Sequence, residues 1–189
     1  PSVIDIPRHI PTEKKMKVKS ARADYMSGST VWTFSNGFTV IYKRMDTGGR
    51  MYYNLALNEG FSSIRDLEKG EGGYISDQFF LSKIGQMTAS DFLDCLNAEG
   101  LSMDAHVGLT YMMLSGSTPD DKLELMINAM LAALYKRTPD TEAFDYYASG
   151  ESLALTNRKG SREDRTVAID SIICKDYNYS SRKSLSTIS

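Results

Sequence analysis

The sequence predicts an α+β protein of element order βββ-αα-ββ-ααα, with helices packed on a largely antiparallel sheet. Three observations carry that expectation. Asn36-Gly37 lies between two β-rich runs, the strongest short hairpin signal, because both turn residues tolerate positive φ. Residues 51–57 and 101–107 alternate apolar with polar side chains, the period of a half-buried strand. Beyond Thr118-Pro119, the residues Leu123, Met126, Ile127, Met130, Leu131 and Leu134 recur at helical spacing.

Residues 1–29 read as a linker. Prolines stand at positions 1, 7 and 11, a basic run follows from Lys14 to Lys19, and no apolar period is sustained. The folded domain is expected over residues 30–189. Thr30 to Phe34 and Phe38 to Lys43 form the hairpin around Asn36-Gly37, and Asp46 to Gly49 is the next turn. Met51, Tyr53, Leu55 and Leu57 give a third strand one core face. Residues 59–73 are glycine-rich and charged, hence a loop. A first helix is expected from about Gly72 to Ile84, with Ile75, Phe79, Phe80, Leu81 and Ile84 as its apolar stripe. Thr88, with Asp91 three positions on, opens a second helix as a variant capping box, and Gly100 ends it.

Leu101, Met103, Ala105 and Val107 form the core side of a fourth strand. Gly108 breaks it, and Leu109 to Ser115 returns as a fifth. Thr118-Pro119-Asp120-Asp121 combines a cap, a first-position proline and acids in the first turn, so a third helix starts there and ends at Lys136-Arg137. Thr138-Pro139-Asp140 restarts a helix that runs through Phe144, Tyr147 and Leu153 to about Asn157. Gly160-Ser161 separates it from a last one, about Arg162 to Ile173.

The chain of 189 residues suits one domain with a sizeable core. Its hydrophobic fraction of 41% and charged fraction of 24% are those of a soluble globular protein. A net charge of −2 leaves no electrostatic footprint for nucleic acid or an anionic membrane. No apolar run is long enough for membrane insertion. Cys95 and Cys174 form no disulfide framework and no Cys-x-x-Cys metal spacing. The start lacks an initiator Met and a signal-peptide pattern, and the end is serine-rich, so an excised piece of a longer protein is expected.

Candidate chemistry is sparse. The histidines are His9, in the linker, and His106, whose alternation with Ala105 and Val107 turns it to the polar side of its strand. Asp77, Asp104, Glu142 and Glu151 could be argued into carboxylate pairs, but 24 acids make chance pairs expected. Gly70-Glu71-Gly72-Gly73 precedes a helix as an anion site does, yet Glu71 opposes phosphate, and the motif reads as a loop entering the helix. No catalytic, cofactor-binding or metal residue is assigned.

A family resemblance rests on an ordered set of motifs. Phe34-Ser35-Asn36-Gly37-Phe38-Thr39-Val40 comes first, followed by Phe92-x-x-x-Leu96-x-x-x-Gly100. Asp104-Ala105 then stands where the family has Asn-Ala, and the helix from Thr118 and the pair Pro139 and Phe144 follow. In this order they resemble one half of a pitrilysin-type zinc metallopeptidase, the family of insulin-degrading enzyme and mitochondrial processing peptidase. Active halves carry His-x-x-Glu-His, which binds zinc through neutral imidazoles while the Glu polarises a water. Anchored on Gly85, those positions fall here on Ser76, Phe79 and Phe80.

The resemblance therefore implies a non-catalytic half-domain, inactive alone, within a larger zinc metalloendopeptidase. Zinc is expected in the partner half. The implied partners are the catalytic half-domain of the same protein, or a homologous subunit, and a peptide substrate. The alternative is a zinc-free scaffold or assembly subunit, related to processing-peptidase core proteins. The family spans mitochondria, cytosol and the bacterial envelope, and the cell envelope or periplasm is the expectation carried here.

Overall fold

A computed structural model describes residues 16–68, 71–75 and 78–158, together with Arg165, Ile169, Ile172 and Ile173. It is a mixed α+β structure built on antiparallel strand pairs, as the sequence predicts. The described residues form three three-stranded sheets.

The first sheet combines β1 (Val18–Asp24), β2 (Ser29–Phe34) and β3 (Thr39–Tyr42). Gly37 adopts φ 88° between β2 and β3, and Trp32 pairs with Val40 in the expected hairpin. The strand β1 corrects the reading of residues 1–29 as linker. It pairs with β2 along its length, Ala21 opposite Trp32 and Ala23 opposite Thr30. A tight turn makes this possible: Gly28 at φ 67° donates to the Asp24 carbonyl, and the Asp24 carboxylate accepts from Met26 N and Ser27 Oγ. These hydrogen bonds, the Ser27 hydroxyl foremost, hold the Asp24 carboxyl below its ordinary pKa. Small and basic side chains hid the strand from a search for apolar period, and they suit an edge.

The central sheet is β4 (Arg50–Leu57), β8 (Met112–Pro119) and β7 (Ser102–Val107). Leu55, Leu114 and Ala105 stand opposite one another across it, as do Tyr53, Gly116 and Met103. Strand β8 runs beyond the expected end at Ser115, so Thr118-Pro119 closes a strand instead of opening a helix. Thr118 is fully buried. A 3-10 turn over Asp120–Lys122 follows, and α3 (Leu123–Tyr135) begins after it.

On the inner side of this sheet, α2 (Ala89–Ala98) and α3 supply most of the core. Phe92, Leu96, Met126, Ala129, Ala132 and Ala133 join Met103 and Leu114 in one buried cluster. The caps of α2 are as expected. Thr88 Oγ1 accepts from Asp91 N, and Gly100 at φ 78° carries the paired bonds Gly100 N to Asn97 O and Leu101 N to Leu96 O, a Schellman stop. The stripe on α3 is displaced from the expected one. Its alanines face the core, which lets the helix approach closely, while Leu123 and Ile127 are exposed at its border.

The expected helix over 72–84 is the largest departure. Among the described residues of this stretch, α1 (Gly72–Ile75) is helical, Gln78–Leu81 is turn, and Ser82–Ile84 is strand β5. Gly85, at φ 64°, and Gln86 make a two-residue loop to β6 (Met87–Thr88), with Ile84 opposite Met87. The other side of β5 pairs with β9 (Arg137–Pro139), Ile84 opposite Arg137. Pro139 therefore ends a strand, and Asp140 alone caps α4 (Thr141–Asn157) by accepting from Ala143 N. The helix expected at Arg162 to Ile173 lies outside the described residues except for Arg165, Ile169, Ile172 and Ile173, which are helical.

Candidate functional site

The central sheet has one covered face and one open face. Strand alternation sets both. Tyr53, Leu55, Met103, Ala105 and Leu114 turn toward the helices, where they pack in or against the buried cluster. The register places Tyr52, Ser117 and Ser102 side by side on the other face, then Asn54, Ser115 and Asp104, then Ala56, Met113 and His106. Tyr52, Asn54, Asp104 and His106 are exposed. The result is a mainly polar shelf, rich in hydroxyl, amide and carboxylate groups.

One end of the shelf is fixed by hydrogen bonds. Arg50 Nη2 donates to Ser117 Oγ at 2.7 Å and to the Gly100 carbonyl at 2.9 Å. Ser117 N donates to Ser102 Oγ at 2.9 Å. Beneath it, Tyr53 Oη reaches across Gly116 and donates to the Ser102 carbonyl at 2.8 Å. Burial pushes the Tyr53 phenol up to about 12, which keeps it a neutral donor. At the other end the His106 and Tyr111 rings lie 5.8 Å apart, and the Gly108–Leu109 carbonyls accept from Phe61 N and Ser62 N. That approach leaves no room for a side chain at Gly60, whose Cβ would stand 2.4 Å from the Gly108 oxygen.

His106 and Asp104 thus share the shelf. Glu142 and Glu151 are brought together neither with them nor as a pair: they sit on α4, nine positions apart. His9 and Asp77 lie outside the described residues. Among the described residues no group of three or more His, Cys, Asp or Glu side chains converges. Of the Gly70-Glu71-Gly72-Gly73 motif, Gly70 lies outside the described residues; Glu71 leads into helix α1, and the glycine at 72 answers to packing. A Cβ there would meet the Phe61 ring at 3.0 Å. Glu71 instead accepts from Glu68 N. Burial, with Asp91 and Asp94 beside it, raises the Cys95 thiol, the opposite of an activated nucleophile.

Of the three box positions, Ser76 lies outside the described residues, and Phe79 and Phe80 do not fit zinc. Phe79 is 2% exposed and belongs to the core, while Phe80 is 51% exposed, stacked edge-on against it at 5.6 Å. A phenyl ring has no lone pair for a metal and no proton to move. The exposure of Phe80 also corrects the expectation that it lies on a buried helix stripe. The sequence reading did not single out Tyr52, Asn54 or Ser115; their signal was the alternation opposite the core residues.

No family model matches the sequence, and no curated protein does. Solved structures do match. A mutant of the ferredoxin protease FusC, in complex with Arabidopsis ferredoxin, superposes with a TM-score of 0.74 at 14% identity over 95% of this chain. The periplasmic protease PqqL from Escherichia coli gives 0.67 at 14% identity over 84%. The chain spans 20% and 18% of those two chains. The likeness defines the fold: an α+β unit found as about a fifth of each protease. Among the described residues, no helix is long and apolar enough to cross a membrane.

Proposed function

We propose that this chain is a non-catalytic half-domain of a larger pitrilysin-type zinc metallopeptidase, walling the peptide chamber opposite the zinc-bearing half. The observation that carries this reading is the match of nearly the whole chain to a fifth of a protease chain. The open polar shelf of β4-β8-β7 supports it. A sheet face that offers hydrogen-bonding groups without a core suits contact with a peptide backbone held by another element. The box positions supply neither a metal ligand nor a base, so zinc and its activated water belong to the partner half. FusC and PqqL are proteases, the latter periplasmic, and an envelope protease is the class of parent protein we place this chain in.

The test is the intact mass, zinc content and peptidase activity of the native polypeptide containing this sequence. The expected result is a chain several times longer, carrying one zinc, with peptidase activity removed by a chelator. A short chain without zinc that co-purifies with large partners would overturn the reading in favour of a scaffold subunit.

A further inference from the structure

We infer that residues 3–10, ahead of β1, dock across the aromatic face of the first sheet as a polyproline II segment. Alternation turns Phe34 and Trp32 to one side of that sheet, with Phe38 and Tyr42 alongside from the other arm of the hairpin. The Phe34 and Phe38 rings lie 6.1 Å apart, and the Trp32 and Tyr42 rings stack at 6.0 Å. Beside them β1 presents Ala21 and Ala23, exposed and too small to cover the rings. The rows of the register that carry the four rings contain no charged residue. None of the four rings belongs to the core cluster under the central sheet, and Phe38 and Tyr42 are 42% and 44% exposed. A small sheet of this kind needs its apolar face covered.

Sequence period selects the occupant. A polyproline II helix has three residues per turn, so positions three apart share an edge. Ile4, Pro7 and Ile10 fall on one edge, while the charged Asp5 and Arg8 fall together on another. Ile6 and Ile10 each precede a proline, which biases them to extended backbone. Spacing agrees with the face. Along a polyproline II edge the repeat is about 9 Å. The phenylalanine pair and the centre of the Trp32–Tyr42 pair stand about 10 Å apart, at about 3.3 Å per strand residue. Direction agrees as well. The Lys17 carbonyl accepts from Ser35 N, so the chain enters β1 at the Phe34 end. Residues 11–15 suffice for a reverse turn, which sets Ile10 on the phenylalanine pair and Pro7 on Trp32 and Tyr42. Proline on an aromatic surface loses little freedom on docking, and the short tether keeps the local concentration high. A connector held in this way is a fixed joint, and no residue of the β4-β8-β7 shelf takes part.

Trp32 is the sole tryptophan, so its emission reads the docking directly. The test compares the whole chain with its Pro7→Asp and Ile10→Asp variants by emission maximum and acrylamide quenching. The expected result is a red shift and roughly doubled quenching in each variant, because an unpaired carboxylate cannot lie buried on the rings. Arg8→Ala, on the outward edge, should match the parent. A synthetic peptide of residues 1–15 should restore the parental emission of either variant saturably, and a scrambled one should not. Parental quenching in both segment variants would overturn the proposal, as would restoration by the scrambled peptide or none by the native one. Protection of Trp32 that falls on dilution would place a second copy on the face. Protection lost in Ile169→Asp but kept in both segment variants would place the C-terminal helical residues there, and either result overturns the docking.

Discussion

Replacing Gly116 by alanine would place a Cβ 2.0 Å from the Ser102 carbonyl oxygen and 2.8 Å from Tyr53 Oη. Neither neighbour can yield cheaply. Ser102 belongs to a paired strand, and its carbonyl is the acceptor for Tyr53. Restoring an ordinary contact requires β7 and β8 to separate by more than about 1 Å, given that backbone hydrogen bonds weaken steeply beyond their 2.7–3.2 Å range. The Tyr53 bond and at least one neighbouring bond would be lost, at about 1 kcal/mol each. Overpacking strain adds about 1–3 kcal/mol. The expected cost is therefore about 3–5 kcal/mol, a large share of the 5–15 kcal/mol typical of a domain. Urea unfolding followed by circular dichroism measures it, with the slope checked for constancy. A midpoint matching the parent within error would refute the close approach of β7 to β8, and with it the geometry of the shelf.

Phe79→Ala should cost about 3–5 kcal/mol in the same unfolding assay, whereas Phe80→Asp should cost less than about 1 kcal/mol, because only the first ring is buried. Thr88→Ala removes the cap bond to Asp91 N and should cost about 1 kcal/mol, visible as a lowered Tm. Tyr53 titrates higher folded, at about 12, than its ordinary 10, so its contribution is complete below pH 10 and fades as pH rises toward 12. Tyr53→Phe should therefore flatten the alkaline limb of a stability profile between those values. Among the described residues Arg137 Nη1 is buried without a hydrogen-bond partner, and burial lowers the guanidinium pKa. Arg137→Met should be neutral or stabilising by up to about 2 kcal/mol, and a fall in Tm would show that the guanidinium is satisfied in solution.

The parts of the fold legible in sequence are those fixed within a few residues. Asn36-Gly37 dictates its turn, and Thr88 and Gly100 bracket α2, because each acts on backbone groups at most a few positions away. Alternation along β4 and β7 likewise gave the covered and open faces before any partner strand was known, and put His106 on the open one. Strand β1 was not legible, since an edge strand of small and charged residues has no apolar period to detect. The exposure of Phe80 was hidden for another reason: no local pattern states which of two adjacent phenylalanines turns outward.

The segment from Gly72 to Ile84 shows why period alone misleads. Phe79 and Ile84 are both 2% exposed, as a helix stripe predicts, but they reach the core from a turn and a strand. What decides between the two is β9, more than fifty positions along the chain, which pairs with β5 from Ser82 to Ile84. The local clue was Gly85-Gln86, a two-residue loop with glycine first, flanked by Ile84 and Met87. The family resemblance places a helix motif on this segment, and the structure makes its positions unequal. At Phe80 a polar side chain would face solvent. At Phe79 a glutamate would enter the core beside Phe92 and Leu96 as an unpaired charge, costing several kcal/mol. Rebuilding His-x-x-Glu-His here would thus meet its barrier at Phe79, in the packing of the core.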